Sequence, residues 1–324
     1  MKLLTVAFLI LLGCILTHSQ ISLIYAAMGL ELWFQKMIPS LLPFMILSGI
    51  MVRMKLTDKA AMVIYPVVRP VFRVRKNVCY AMLMGFLCGF PMGARVVDDL
   101  YIRDMISRRE AEYLLAFCNN IGPVYFCSFV LPLLGRKLVL PYLFGMYGIP
   151  LLYGFILRYT LFQDLPPFRE PEGSPAKRHF HPEFSELIIC EAAPAKRSFA
   201  EQLLEETDNS IHTSVQSILS LGGYMILFNL MNLIPHILLG HPLPFLSPLL
   251  EITGGLKLLG TSAPLYSLLA LIFGGFSCIA QTYNCIGNSD LSIGSHVRHK
   301  LFLTMLGGIY YLCWFLVFPA SFLR

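Results

Sequence analysis

Charge is scarce in this chain. Asp, Glu, Lys and Arg make up 14% of its 324 residues, hydrophobic types make up 56%, and the mean hydropathy is +0.67. Soluble domains carry about 25% charge, so a soluble body is excluded and an all-α polytopic membrane protein is expected. CxxC pairs are missing as well. There are nine cysteines, most of them (Cys14, Cys79, Cys88, Cys118, Cys127, Cys278, Cys313) in apolar stretches, and they read as small buried hydrophobes rather than a disulfide framework or zinc site. No nucleophile–base pair, metal set or phosphate-cradling loop stands out, which argues against an enzyme, a cofactor or a bound metal. The His179-x-His181 pair lies in polar sequence and makes no metal site alone.

What charge there is sits unevenly. Between Arg53 and Lys76, seven basic residues (Arg53, Lys55, Lys59, Arg69, Arg73, Arg75, Lys76) face only Asp58, a surplus equal to the whole chain's net charge of +6. A short basic loop between apolar segments marks a cytoplasmic loop, not a nucleic-acid surface. The N-terminal KLLTVAFLILLGCILTHSQ has the Lys2 and apolar core of a signal peptide. Leu12 fits a cleavage box poorly and more apolar segments follow at once, so an uncleaved first helix is expected.

Apolar segments are expected near 3–17, 37–52, 79–94, 111–134, 138–158, 213–235, 264–286 and 301–319. Residues 20–35, with Glu31 and Lys36 near their end, are either interfacial or a continuation of the first hairpin. Residues 163–212 hold ten of the nineteen acidic residues and six prolines, the composition of a solvated linker. They divide the chain into an N-terminal repeat (1–162), a polar cytoplasmic linker (163–212) and a C-terminal repeat (213–324). Capping-box spacings start helices at Ser107/Glu110 and Ser198/Glu201.

The halves resemble each other. IPSLLPFMILSGIM at 38–51 and ILSLGGYMILFNLM at 218–231 share Ile, Ser, Leu, Met, Ile, Leu and Met in register 180 positions apart, and GFLC at 85–88 matches GFSC at 275–278. If both the 53–76 loop and the linker are inside, the two copies run in opposite directions. That count requires 79–94 to leave by the face it entered, and Arg95, Arg103, Arg108 and Arg109 follow it as such a return demands.

Gly85, Gly89, Pro91 and Gly93 suit that turn. The glycines allow close packing, Pro91 ends a helix, and irregular backbone survives at membrane depth only where protein buries it or where it lines a watery cavity. GGFSCIAQTYN at 274–284, with Ser277, Gln281, Thr282 and Asn284, is expected to be the second hairpin. Asn119 and Asn120, just before Gly122 and Pro123, mark an unwound turn in the middle of a spanning helix. Paired broken segments in two inverted halves point to a midplane substrate site, so Gly89, Pro91, Gly93, Asn119, Asn120, Ser277 and Gln281 are the candidate binding residues. Glu251 in LLEITGG is either a proton or cation site or a residue facing interfacial water. The same count puts Arg298 and Lys300 outside, against the charge rule, as snorkelling helix-end residues or an attractor for anions.

Several blocks carry a family resemblance: AAMGLELWFQKMIPSLLPFMILSG at 26–49, PVVRPVFRV at 66–74, GFLCGFPMGARVVDDLYIRDMISRREAEYLLAFCNN at 85–120, SVQSILSLGGYMILF at 214–228, LLEITGG and GGFSCIAQ. They resemble the sporulation integral membrane protein family, part of the nucleoside-recognition Gate group related to concentrative nucleoside transporters. The resemblance implies two inverted repeats, each with a re-entrant hairpin and a broken transmembrane helix. It also implies a location in the bacterial inner membrane or the outer forespore membrane of a spore-forming bacterium, and movement of dipicolinic acid by alternating access. The expected partners are the small solute, the bilayer, and further copies or other sporulation membrane proteins. A nucleoside-like solute, or a non-transporting scaffold, remains the alternative.

Overall fold

The computed structural model describes residues 2–165, 198–287 and 289–322, and every regular element among them is a helix. Most of the linker, including His179, His181 and its six prolines, lies outside the described residues. Five helical runs are long and apolar enough to cross a membrane: Ser19–Arg53, Arg136–Tyr159, Phe199–Leu239, Pro264–Ile286 and Ile293–Val317.

After α1 (Lys2–Thr17) comes α2, Ser19–Arg53, so residues 20–35 continue directly into the first repeat block. Glu31 suggests a helix end, but it pairs with Lys257 at 3.1 Å, and a π-helical turn at Trp33–Met37 carries the helix past it. The Trp33 indole N–H donates to Ile218 O at 2.8 Å, its ring filling the space left at Gly222. α10 (Phe199–Leu230) lies antiparallel along α2: Arg53 donates to Thr213, Ser210 to Ile46 O, and Tyr25 hydrogen-bonds His236 just beyond α10, at 3.2, 2.7 and 2.9 Å. Ser19 and Phe199 start these helices 180 positions apart, the spacing of the sequence repeat. Both expected capping boxes are present, at Ser107/Glu110 and Ser198/Glu201.

Beyond two short helices, α3 (Thr57–Ala61) and α4 (Tyr65–Phe72), the first hairpin is formed by α5 (Lys76–Cys88) and α6 (Met92–Ile102). It is larger than the expected 79–94, and Arg95, Asp98 and Asp99 belong to its second arm rather than following it. α5 has 13 residues and so reaches about 20 Å, well short of a hydrocarbon core of about 30 Å. Its two ends meet: Asn77 donates to Met105 O at 3.3 Å, and Arg75, just before α5, forms a buried ion pair with Glu110 in α7 (Arg108–Phe117). α8 (Pro123–Leu134) continues past the break at 118–122, and α9 (Arg136–Tyr159) runs back. At its end Arg158 donates to Phe72 O at 2.9 Å, Arg73 O at 3.2 Å and Leu165 O at 2.9 Å. The basic segment, the hairpin ends and the start of the linker therefore share one end of the bundle.

The second half differs from expectation in one place. α11 (Leu233–Leu239) leads to a short folded-back pair, α12 (Ser247–Leu250) and α13 (Ile252–Leu259), then to α14 (Pro264–Phe273), α15 (Gly275–Ile286) and α16 (Ile293–Val317). The reversal occurs at Glu251: a Cβ on Gly255 would stand 2.1 Å from Pro248 N. Gly274 and Gly275, with φ of +81° and +82°, open the helix without turning it back, so GGFSCIAQTYN belongs to a broken crossing helix and not to a hairpin. GFLC and GFSC accordingly fall on elements that do not correspond. After α15, Asp290 accepts from Tyr101 at 2.6 Å and pairs with Arg108 at 3.4 Å, back at the basic end. Arg298 thus falls near that end, and the expected violation of the charge rule disappears. Cys79, Cys88, Cys118 and Cys278 are buried, but Cys127 and Cys313 are exposed, contrary to the reading of the thiols as buried.

Candidate functional site

Two junctions of backbone on backbone form the centre. In the first half the hairpin tip rests on the break between α7 and α8. Phe90 N–H donates to Asn120 O at 2.7 Å. An added Cβ would lie 2.3 Å from Gly122 N at Gly89, and 2.1 and 2.4 Å from Cys118 O at Gly85 and Gly93. The glycines thus admit another chain segment between the arms instead of forming one smooth helical face. In the second half the Glu251 tip rests on the break at Gly275, where a Cβ would meet Pro248 O at 3.0 Å.

Glu251 is buried, and its carboxylate is fully engaged. It accepts from Thr253 N at 3.0 Å, Gly254 N at 2.6 Å and Asn229 Nδ2 at 3.1 Å, donors that a buried carboxylate needs. It caps α13 and does not face interfacial water. Replacing it with Gln turns an acceptor into an NH2 group facing backbone N–H groups. A cost of about 1–3 kcal/mol is expected, read as a lower Tm in detergent; an unchanged Tm would mean the cap contributes nothing.

The halves meet through side chains. Asn119 Nδ2 donates to Thr282 Oγ1 at 2.9 Å, Tyr125 OH to Thr253 Oγ1 at 3.2 Å, and Lys300 Nζ to Asn119 O at 3.0 Å. The Phe90 ring lies against the Gly274 break. Between the tips and breaks is a cavity of about 30 Å³ lined by Ser40, Phe90, Tyr125, Glu251, Thr253 and Gln281 among others. A smaller one, about 10 Å³, is bordered by Pro91, Arg95, Ser217, Gln281 and Asn284.

The expected residues gather here in different ways. Gln281 lines both cavities and donates to Ser277 Oγ at 2.9 Å, which leaves Ser277 buried within its own helix. Pro91, after a cis peptide, borders only the smaller cavity. Gly89 and Gly93 act through backbone packing. Asn119 stands one layer behind the cavity with Oδ1 buried and unpaired, while the Asn120 amide turns away to Phe117 O at 2.6 Å. Sequence reasoning passed over Phe90, Tyr125, Thr253 and Asn229. Only Asn229 carried a signal, as a buried amide inside the repeat block. Lys300 is no snorkelling end residue: it is buried at the break of the opposite half.

No family model matches the chain, and no solved structure matches it. The sporulation integral membrane protein YlbJ of Bacillus subtilis (strain 168) is 27% identical over 332 aligned residues, covering 94% of this chain and 79% of that protein. Together with the apolar helices able to span a bilayer, the similarity identifies an integral membrane protein. The chain is thus similar to that one sporulation integral membrane protein over nearly its whole length.

Proposed function

We propose that the protein moves a small polar or anionic solute, dipicolinate during sporulation, across the bacterial inner membrane or the outer forespore membrane by alternating access. One observation carries the reading: two helix breaks and two hairpin tips converge on a single polar-edged cavity, the arrangement of transporters built from inverted repeats. The antiparallel α2 and α10 fit such repeats. Within each half the tip and break touch backbone to backbone, so each tip suits moving together with the break it rests on. The cavity holds about two waters, so a solute enters only when the halves part. Sporulation in the name of the Bacillus relative supports the setting.

The test is uptake into proteoliposomes containing the full chain, with dipicolinate set against nucleosides. Asn119→Ala combined with Gln281→Ala removes two polar groups worth about 1 kcal/mol each, and a drop in uptake of about tenfold or more is expected. Deleting residues 168–196 is expected to leave uptake intact. Uptake of neither solute, with spore dipicolinate content lost on linker deletion and unchanged by the double substitution, would make the protein a scaffold; nucleoside uptake without dipicolinate uptake would change the substrate.

A further inference from the structure

We propose that Lys300 is the specificity-determining charge of this site, its ammonium serving as the countercharge for a carboxylate of the substrate. The inference rests on the transport reading above. Lys300 is 5% exposed in the middle of the bundle, and its Nζ donates to Asn119 O at 3.0 Å and lies 5.6 Å from the centre of the Phe90 ring. Among the described residues, that carbonyl is its one hydrogen-bond acceptor and no carboxylate stands within ion-pair distance. Burying an ammonium costs several kcal/mol unless an opposite charge accompanies it. Glu251, whose oxygens accept from Thr253, Gly254 and Asn229, does not stand within ion-pair distance of the ammonium.

Position turns the unmatched charge into a site. Phe90 both lines the cavity and lies beneath the ammonium, so the ring is the partition between them. Phe90 belongs to the first half and Lys300 to the second. Parting the halves draws the ring away from the ammonium and opens it to whatever occupies the enlarged cavity. A carboxylate there adds a charge–charge attraction that the neutral Asn119 carbonyl does not supply, which favours the opened arrangement.

The experiment uses the full-length protein in proteoliposomes and two probes of the same ring and shape, pyridine-2,6-dicarboxylate and its neutral diamide. Wild type is expected to take the dianion in preference, and Lys300→Met to lose about tenfold or more on the dianion while the diamide stays within about threefold. Lys300→Arg, which keeps the charge, is expected to keep the preference. A wild type that moves neither probe overturns the transport reading and this inference together. A wild type without preference for the dianion, or a Lys300→Met protein that retains it, overturns the inference alone. Equal loss of both probes in Lys300→Met at unchanged Tm also overturns it, since Lys300 would then be a packing residue.

Discussion

Gly89→Ala is expected to cost about 3 kcal/mol or more, a large part of the 5–15 kcal/mol that holds an ordinary fold together. Two effects add. The backbone at Gly89 has φ +81°, where a residue with a Cβ loses about 1–2 kcal/mol. The new methyl also lands 2.3 Å from Gly122 N and 2.9 Å from Asn120 O. These are backbone atoms of a second segment, not the yielding end of a side chain, so overpacking adds about 1–3 kcal/mol. The measurement is Tm and folded yield in detergent, with Gly223→Ala as the control. A Cβ there meets nothing within 4 Å, and alanine in a helix interior is expected to stabilise by about 1 kcal/mol. If the two substitutions behave alike, the tip does not rest on the break.

The second large effect is expected at the buried ion pair where the first hairpin begins. Arg75 Nε donates to Glu110 Oε1 at 2.8 Å, and its Nη2 donates to Oε2. Oε2 also accepts from Ser107 N at 2.7 Å and from Ser107 Oγ at 2.9 Å. One carboxylate thus closes a helix cap and joins the base of the hairpin to the base of the next helix, while itself 2% exposed. Glu110→Ala leaves the Arg75 guanidinium buried without a counterion, for an expected loss of about 3–5 kcal/mol. Removing both charges, Arg75→Met with Glu110→Leu, is expected to recover most of that loss. Unfolding in detergent checks both, and a Glu110→Ala protein as stable as wild type would sink the idea that this pair anchors the hairpin.

The first hairpin was legible because three local signals agreed: glycines, a proline, and charges that demand a return to the same face. The second was misread for an instructive reason. GGFSC looks like a turn, yet two glycines alone only open a helix. At LLEITGG, Glu251 accepts from the N–H groups of Thr253 and Gly254 and so starts a new helix in a new direction. Reversal came from a cap, and the cap needed Asn229 from another helix to complete it. Lys300 was illegible for a related reason, since its burial depends on a carbonyl 181 positions away. Residues 20–35 were left open because Glu31 and Lys36 resemble an end, and only the partner Lys257 reveals that the helix goes on. Packing of distant segments, which no window of sequence contains, decides all three.

The gathering of ends on one side of the bundle bears on how the chain is wired. Leu165, where the first half finishes, is held by Arg158 beside Phe72 and Arg73, and the first turns of α10 run past Arg53, which meets Glu206 at 3.6 Å. The described chain therefore breaks off at Leu165 and resumes at Ser198 on the same side of the bundle. Connectivity is a convenience of synthesis here, and the geometry is equally that of two separate polypeptides that find each other in the bilayer.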